Sequence, residues 1–197
     1  SGNEVFILGH SEGATLSIMT ASEINNLSGI ILISGPGYTM AETLRKQISN
    51  IGDSYKKQGQ EGIKEELLTA LDDLFKAVRE NKEFNVNQYN IPSELKSTYL
   101  SIANQSEFAR DWIDVNPTKL LKKTDIPVCI IQGTNDSRVT TEDAKKLASV
   151  VSERDLNLNI IDGLNHFLKK AEPGSFASDK NIYRGLLNKV YDFVERN

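Results

Sequence analysis

The chain has 197 residues, of which 39% are hydrophobic and 25% charged, and its formal net charge is −4. This balance fits one globular domain with a sizeable core, and without a long basic run it excludes the electrostatic footprint of a nucleic-acid-binding protein. The longest apolar run, 30–33, is far too short to cross a membrane. One cysteine, Cys129, excludes an internal disulfide. We expect a cytoplasmic protein, although export without disulfides stays open because the chain starts without a methionine.

Short apolar runs that alternate with segments of helical spacing make up most of the chain. Such runs predict buried strands, and apolar residues three and four apart predict amphipathic helices. In chain order the sequence predicts strand 5–8, helix 13–22, strand 30–33, a charged helical stretch from about 40 to 84, further helical segments to 116, strand 127–131, helix 141–151 capped by Thr140 or Thr141, strand 156–161 and helix 182–194.

The order of these elements predicts an α/β fold. Buried strands that alternate with helices indicate a mostly parallel sheet of about four strands with flanking helices. The helical block between the second and third strands is too long for a simple connection. We therefore expect a core formed by residues 1–38 and 117–197, and a helical cap or lid insert over residues 39–116.

The segment Gly9-His10-Ser11-Glu12-Gly13 has the pattern G-x-S-x-G between a predicted strand and a predicted helix. This is the position of a nucleophile elbow, in which a tight, strained turn presents the serine oxygen above the edge of the sheet. The flanking glycines, Gly9 and Gly13, leave room for neighbouring chain. The backbone N–H of Glu12 then lies at a helix N-terminus and faces a developing oxyanion.

A serine nucleophile needs a base, and the chain contains only two histidines. His10 lies inside the turn and cannot turn back onto its neighbour, which leaves His166, just after the last predicted strand. The acid that orients the imidazole is predicted to be Asp136, just after the third strand. Glu142 and Asp143 are rival acids, but both fall within a predicted helix.

These motifs, in this order, resemble the α/β-hydrolase family. The elbow, the segment 133–139 with its G-x-x-D-x-x-V pattern, and the late His166 are each similar to family motifs. The stretch 5–38 especially resembles capped bacterial esterases and serine aminopeptidase-like hydrolases. The resemblance implies that the chain is the C-terminal portion of such a serine hydrolase, with Ser11, Asp136 and His166 as its catalytic triad.

The same resemblance implies that part of the family's usual fold lies outside these 197 residues. Family members have further strands before the elbow and a loop that supplies the second oxyanion N–H. Loss of one such donor costs about 10²–10³ in rate. We therefore expect a missing N-terminal segment or a second copy of the chain to cover the exposed edge of strand 5–8.

The leading hypothesis for function is hydrolysis of a small-molecule carboxylic ester through an acyl-enzyme. A peptidase or amidase of the serine aminopeptidase type is the alternative, and a non-catalytic fragment or binding scaffold with an incomplete oxyanion hole is another. No Cys/His cluster has metal-ligand spacing, so we expect neither a metal nor a cofactor.

Overall fold

The computed structural model describes residues 4–24, 26–173 and 181–197. The first three residues, Ser1-Gly2-Asn3, lie outside the described residues. The strands are β1 Phe6–His10, β2 Gly29–Ile33, β3 Val128–Gly133 and β4 Leu156–Ile161, which form one parallel sheet in the order β1-β2-β3-β4. The predicted α/β class with a parallel sheet of four strands is confirmed.

Helices alternate with the strands along the chain, and several of them lie in the long connection between β2 and β3. In chain order they are α1 Glu12–Ala21, α2 Met40–Lys57, α3 Ile63–Glu80, α4 Ser93–Asn104, α5 Ser106–Trp112, α6 Pro117–Leu121, α7 Thr141–Ala148 and α8 Gly185–Val194, with a short 3-10 helix at Val86–Gln88. Within the described residues, none of these helices has both the length and the apolar character that a membrane crossing requires.

The two central strands are buried on both faces, as expected for a parallel sheet covered by helices. Ile30 and Leu32 of β2 pack in one hydrophobic cluster with residues of α1 and α7. Ile31 and Ile33 point the opposite way and join Phe193 of α8 in a second cluster. Strand β2 is therefore packed against helices on both faces of the sheet, which fixes the position of its carboxyl end.

The chain divides into two compact units, one formed by Ser1–Tyr38 with Asn116–Asn197 and the other by Thr39–Val115. The second unit is helical and has its own core. Among the members of this core are Leu67, Leu71, Leu74, Phe75, Tyr99 and Ile113. Its assignment as a cap stays a prediction.

Several predicted boundaries were wrong by a few residues. The first strand runs through His10 rather than ending at Leu8, because His10 stays in register with Ile33 of β2. The closing helix begins at Gly185 instead of 182, and the helix predicted to end at 151 ends at Ala148. The charged stretch from 40 to 84 contains two long helices, α2 and α3, because Gly59 and Gly62 adopt positive φ angles of 81° and 87° between them.

The first strand carries an exposed apolar edge. β1 is the terminal strand of the described sheet. Leu8 within β1 is 51% exposed, and Val5, directly before the strand, is 47% exposed. An exposed apolar edge strand is a template for pairing with further chain. What covers this edge stays a prediction.

Candidate active site

Ser11 occupies the sharp turn between β1 and α1. Its backbone has φ 55° and ψ −120°, a strained conformation for a residue with a side chain. The Ser11 N–H donates to the carbonyl of Ile33 at 2.8 Å, and the Ser11 carbonyl accepts from Ala14 N at 3.0 Å. These bonds fix the turn between the end of β2 and the first turn of α1, and they produce the strained elbow that the sequence predicts.

The two glycines of the elbow differ in their surroundings. A Cβ added at Gly9 would lie 2.1 Å from the Gly13 carbonyl oxygen and 2.4 Å from Ser17 Oγ, so no larger residue fits there without movement of backbone. A Cβ added at Gly13 would meet no atom within 4 Å among the residues that the structure describes. Close approach of neighbouring chain therefore requires glycine at Gly9 but not, within this chain, at Gly13.

The three predicted site residues meet at the carboxyl ends of β1, β3 and β4. His166 Nε2 lies 3.0 Å from Ser11 Oγ, and His166 Nδ1 lies 2.8 Å from Asp136 Oδ2. An ionised carboxylate only accepts hydrogen bonds, so Nδ1 carries the proton and Nε2 is free to accept from the serine hydroxyl. The site therefore holds a serine, a base and an acid in a continuous hydrogen-bonded chain.

Asp136 is buried, with 4% of its surface exposed, yet it is well supplied with donors. Its Oδ1 accepts from the backbone N–H groups of Arg138 at 2.9 Å and Val139 at 3.0 Å. Burial raises the pKa of this carboxyl, but the hydrogen bonds and charge of His166, together with the two backbone donors, outweigh it and hold the pKa below its usual value. Asp136 is thus kept as the anion that an imidazolium needs beside it.

Gln132 is a site residue that sequence reasoning missed. Its Nε2 donates to Asp136 Oδ2 at 3.1 Å and to the Val139 carbonyl at 2.9 Å. It therefore braces the same carboxylate oxygen that holds His166. The sequence feature that could have indicated Gln132 is its polar side chain near the end of the otherwise apolar strand 128–133. Every residue of this strand is buried. Its Oε1 is buried without a partner among the described residues.

The rival acids serve elsewhere. Asp143 Oδ2 accepts from Thr140 N at 2.9 Å and so closes the N-terminus of α7, while its Oδ1 accepts from Gly37 N at 3.1 Å. Glu142 is exposed on the same helix. Thr140, rather than Thr141, is the N-cap. Asp136 is the acid that meets His166.

The loop that carries His166 is held by its own side chains and by a residue of the elbow. Asn165 Oδ1 accepts from Phe167 N at 3.0 Å and Lys169 N at 3.2 Å. His10, rejected above as a base, lies 2.7 Å through its Nε2 from the carbonyl oxygen of His166. It therefore contacts the loop of the base rather than the serine.

Helix α1 begins at Glu12, directly after the serine. Its first N–H groups have no carbonyl partner within the helix and carry the positive end of the helix dipole. Glu12 supplies the first of these N–H groups, and its role as an oxyanion donor stays a prediction. Across the described ranges, no group of three or more His, Cys, Asp or Glu side chains is placed to hold a metal ion.

A parallel sheet with a strained serine after one strand, and an acid and a histidine after two others, defines the α/β-hydrolase class. Residues 1–173 match the family described as serine aminopeptidase, S33. The chain belongs to this family of hydrolases.

The relatives found by sequence and structure agree with this class. The chain is 25% identical to Esterase EstD of Thermotoga maritima over 196 residues, which cover 98% of this chain and 42% of that protein. A serine hydrolase involved in carbazole degradation superposes with a TM-score of 0.54 at 14% identity, over 100% of this chain and 66% of the other. An esterase from Pyrococcus furiosus superposes with a TM-score of 0.51 at 15% identity, over 98% and 54%. These structures show the fold, and the chain spans about half the length of such relatives.

Proposed function

We propose that this protein hydrolyses carboxylic esters through an acyl-enzyme on Ser11. The observation that carries the proposal is the continuous chain of hydrogen bonds from Asp136 through His166 to Ser11 Oγ, with heavy-atom distances of 2.8 and 3.0 Å. This is the geometry in which a base activates a serine hydroxyl.

The reaction proceeds in two halves. Ser11 Oγ attacks the ester carbonyl carbon while its proton passes to His166 Nε2, and the Glu12 N–H donates to the developing oxyanion. The protonated His166 then gives that proton to the leaving alkoxide, which departs as the alcohol. Water then attacks the acyl carbonyl carbon while one of its protons passes to His166 Nε2. His166 returns this proton to Ser11 Oγ as the bond between Oγ and the acyl carbon breaks and the acid departs. Asp136 stays ionised throughout, because its low pKa favours the anion that stabilises the imidazolium.

Amide or peptide hydrolysis is the second candidate, and the description of the matched family as serine aminopeptidase favours it. The name of the Thermotoga relative favours esters. Both reactions use the same serine, base and acid. Amide hydrolysis depends more strongly on proton donation by His166, because the leaving amine must be protonated as the C–N bond breaks. The two candidate functions are therefore distinguished by the relative rates at which the protein hydrolyses esters and amides.

A matched pair of substrates separates the two candidates. The protein is assayed with p-nitrophenyl esters and p-nitroanilides that share one acyl group, beside Ser11→Ala as the control for non-enzymatic turnover. Ester turnover that far exceeds anilide turnover, and is absent in Ser11→Ala, supports the proposal. Efficient anilide turnover would favour the peptidase alternative, and turnover that persists in Ser11→Ala would refute both.

A further inference from the structure

His10, the second residue of the elbow motif, contacts the backbone of His166. It is the last residue of β1, and its Nε2 lies 2.7 Å from the carbonyl oxygen of His166. A carbonyl only accepts, so His10 Nε2 carries the proton and donates. The two imidazole rings lie 4.9 Å apart between centroids and are tilted by 47°.

The loop around His166 depends on such contacts for its shape. Leu168 has a φ of 55°, which costs a residue with a side chain free energy that the surrounding structure must supply. The neighbouring backbone is fixed by Asn165 N, which donates to the Lys169 carbonyl at 2.9 Å, and by Leu168 N, which donates to the Asn165 carbonyl at 2.9 Å. The peptide of His166 itself is held through its oxygen by His10.

The hydrogen bond from His10 to the His166 carbonyl adds a second link between the end of β1, which carries the nucleophile, and the loop that carries the base. His10 precedes Ser11 directly in the chain, so the end of β1 presents the serine oxygen and also holds the backbone of the histidine. His166 is therefore bonded twice to this segment: its carbonyl oxygen accepts from His10, and its Nε2 lies 3.0 Å from Ser11 Oγ. Because His10 and Ser11 are neighbours in the chain, the contact of His10 helps to set the distance between Ser11 Oγ and His166 Nε2.

We propose that His10 is a positioning residue, whose Nε2–H donor holds the His166 loop so that the imidazole stays within reach of Ser11. This inference rests on the proposed function and deepens it. His10 contacts no reacting atom and acts through the backbone of His166.

The donor and the ring of His10 can be removed separately. His10→Gln keeps an N–H about as far from the backbone as Nε2, His10→Phe keeps a ring without the donor, and His10→Ala removes both. The second-order rate of labelling by a fluorophosphonate is measured for the longest soluble form of the protein, with far-UV circular dichroism as the control for folding.

We expect His10→Phe and His10→Ala to label about 10-fold more slowly than wild type, which corresponds to the loss of about 1.4 kcal/mol, within the range of one hydrogen bond. His10→Gln should return to within about 3-fold of wild type. Three results would overturn the inference: wild-type rates in His10→Ala, rates in His10→Phe equal to those of His10→Gln, or a folded His10→Gln as slow as His10→Ala.

A second measurement needs no activity and separates failure of this inference from failure of the proposed function. In the Ser11→Ala background, long-range ¹H–¹⁵N NMR correlations report the tautomer and exchange broadening of His166. His10→Phe should broaden these signals, and His10→Gln should leave them sharp. Unchanged His166 signals in His10→Phe would overturn the positioning role even in a protein that no fluorophosphonate labels.

Discussion

Replacement of Gly9 by alanine tests the packing on which the elbow depends. In Gly9→Ala the new Cβ falls 2.1 Å from the Gly13 carbonyl oxygen, 2.4 Å from the Gly13 carbonyl carbon and 2.4 Å from Ser17 Oγ. Ordinary contact begins near 3.4 Å. Strand β1 and helix α1 must therefore move apart by about 1 Å, and two of the three atoms in the way belong to the backbone.

This movement has a cost in stability and in reactivity. Overpacking of a well-packed site costs about 1–3 kcal/mol, and because backbone must shift here we expect the upper end, about 3 kcal/mol. For a domain of this size that lowers Tm by about 6–12 °C. Displacement of Ser11 by about 1 Å should also slow fluorophosphonate labelling about 100-fold.

Gly13→Ala is the matched control, because it adds the same methyl group to the same motif at a position with no described atom within 4 Å. It should raise the free energy of unfolding by about 0.5–1 kcal/mol, as alanine does in place of glycine within a helix. Urea unfolding followed by far-UV circular dichroism measures both variants. A Gly9→Ala protein within about 0.5 kcal/mol of wild type would refute the steric reasoning.

Three further predictions concern buried groups. The pKa of Asp136 is lowered in the folded state, so the stability lost in Asp136→Asn should be largest above about pH 4 and shrink as pH falls through that lowered pKa; a loss independent of pH in urea titrations would contradict this. Tyr99→Phe deletes a hydroxyl that donates to the Leu67 carbonyl at 2.8 Å and should cost about 1–2 kcal/mol in urea unfolding with labelling unchanged; unaltered stability would count against it. Burial raises the pKa of Cys129 to about 11, so iodoacetamide should modify it only after unfolding; mass spectrometry that finds native Cys129 modified would refute this.

The geometry of the elbow could be predicted because its causes are local. A serine between two glycines, between an apolar strand and a helix, leaves few conformations for the turn, and Ser11 adopts the strained one. The meeting of Asp136 and His166 is a long-range feature, yet it follows from a general rule, since parallel strands bring their carboxyl ends to one edge of the sheet.

The contacts that brace the site could not be predicted in the same way. Gln132 reaches Asp136 only because β3 extends beyond its apolar run, to Gly133. The contact of His10 depends on the direction in which its ring leaves β1 and on where the 163–170 loop returns, and neither is encoded in residue spacing. The sequence predicts a helical stretch from about 40 to 84 without dividing it, because Gly59 and Gly62 are spaced among polar residues without a proline to mark the turn.

Fluorophosphonate labelling followed by peptide mass spectrometry tests the central claim most directly. It is applied to this chain, to its Ser11→Ala variant and to the longest available form of the protein. We expect a phosphonyl adduct on Ser11 that is absent in Ser11→Ala. Labelling in the longer form alone would still place the nucleophile at Ser11 and would indicate that further chain completes the oxyanion hole. The absence of labelling in every form, or an adduct that persists in Ser11→Ala, would contradict the hydrolase mechanism.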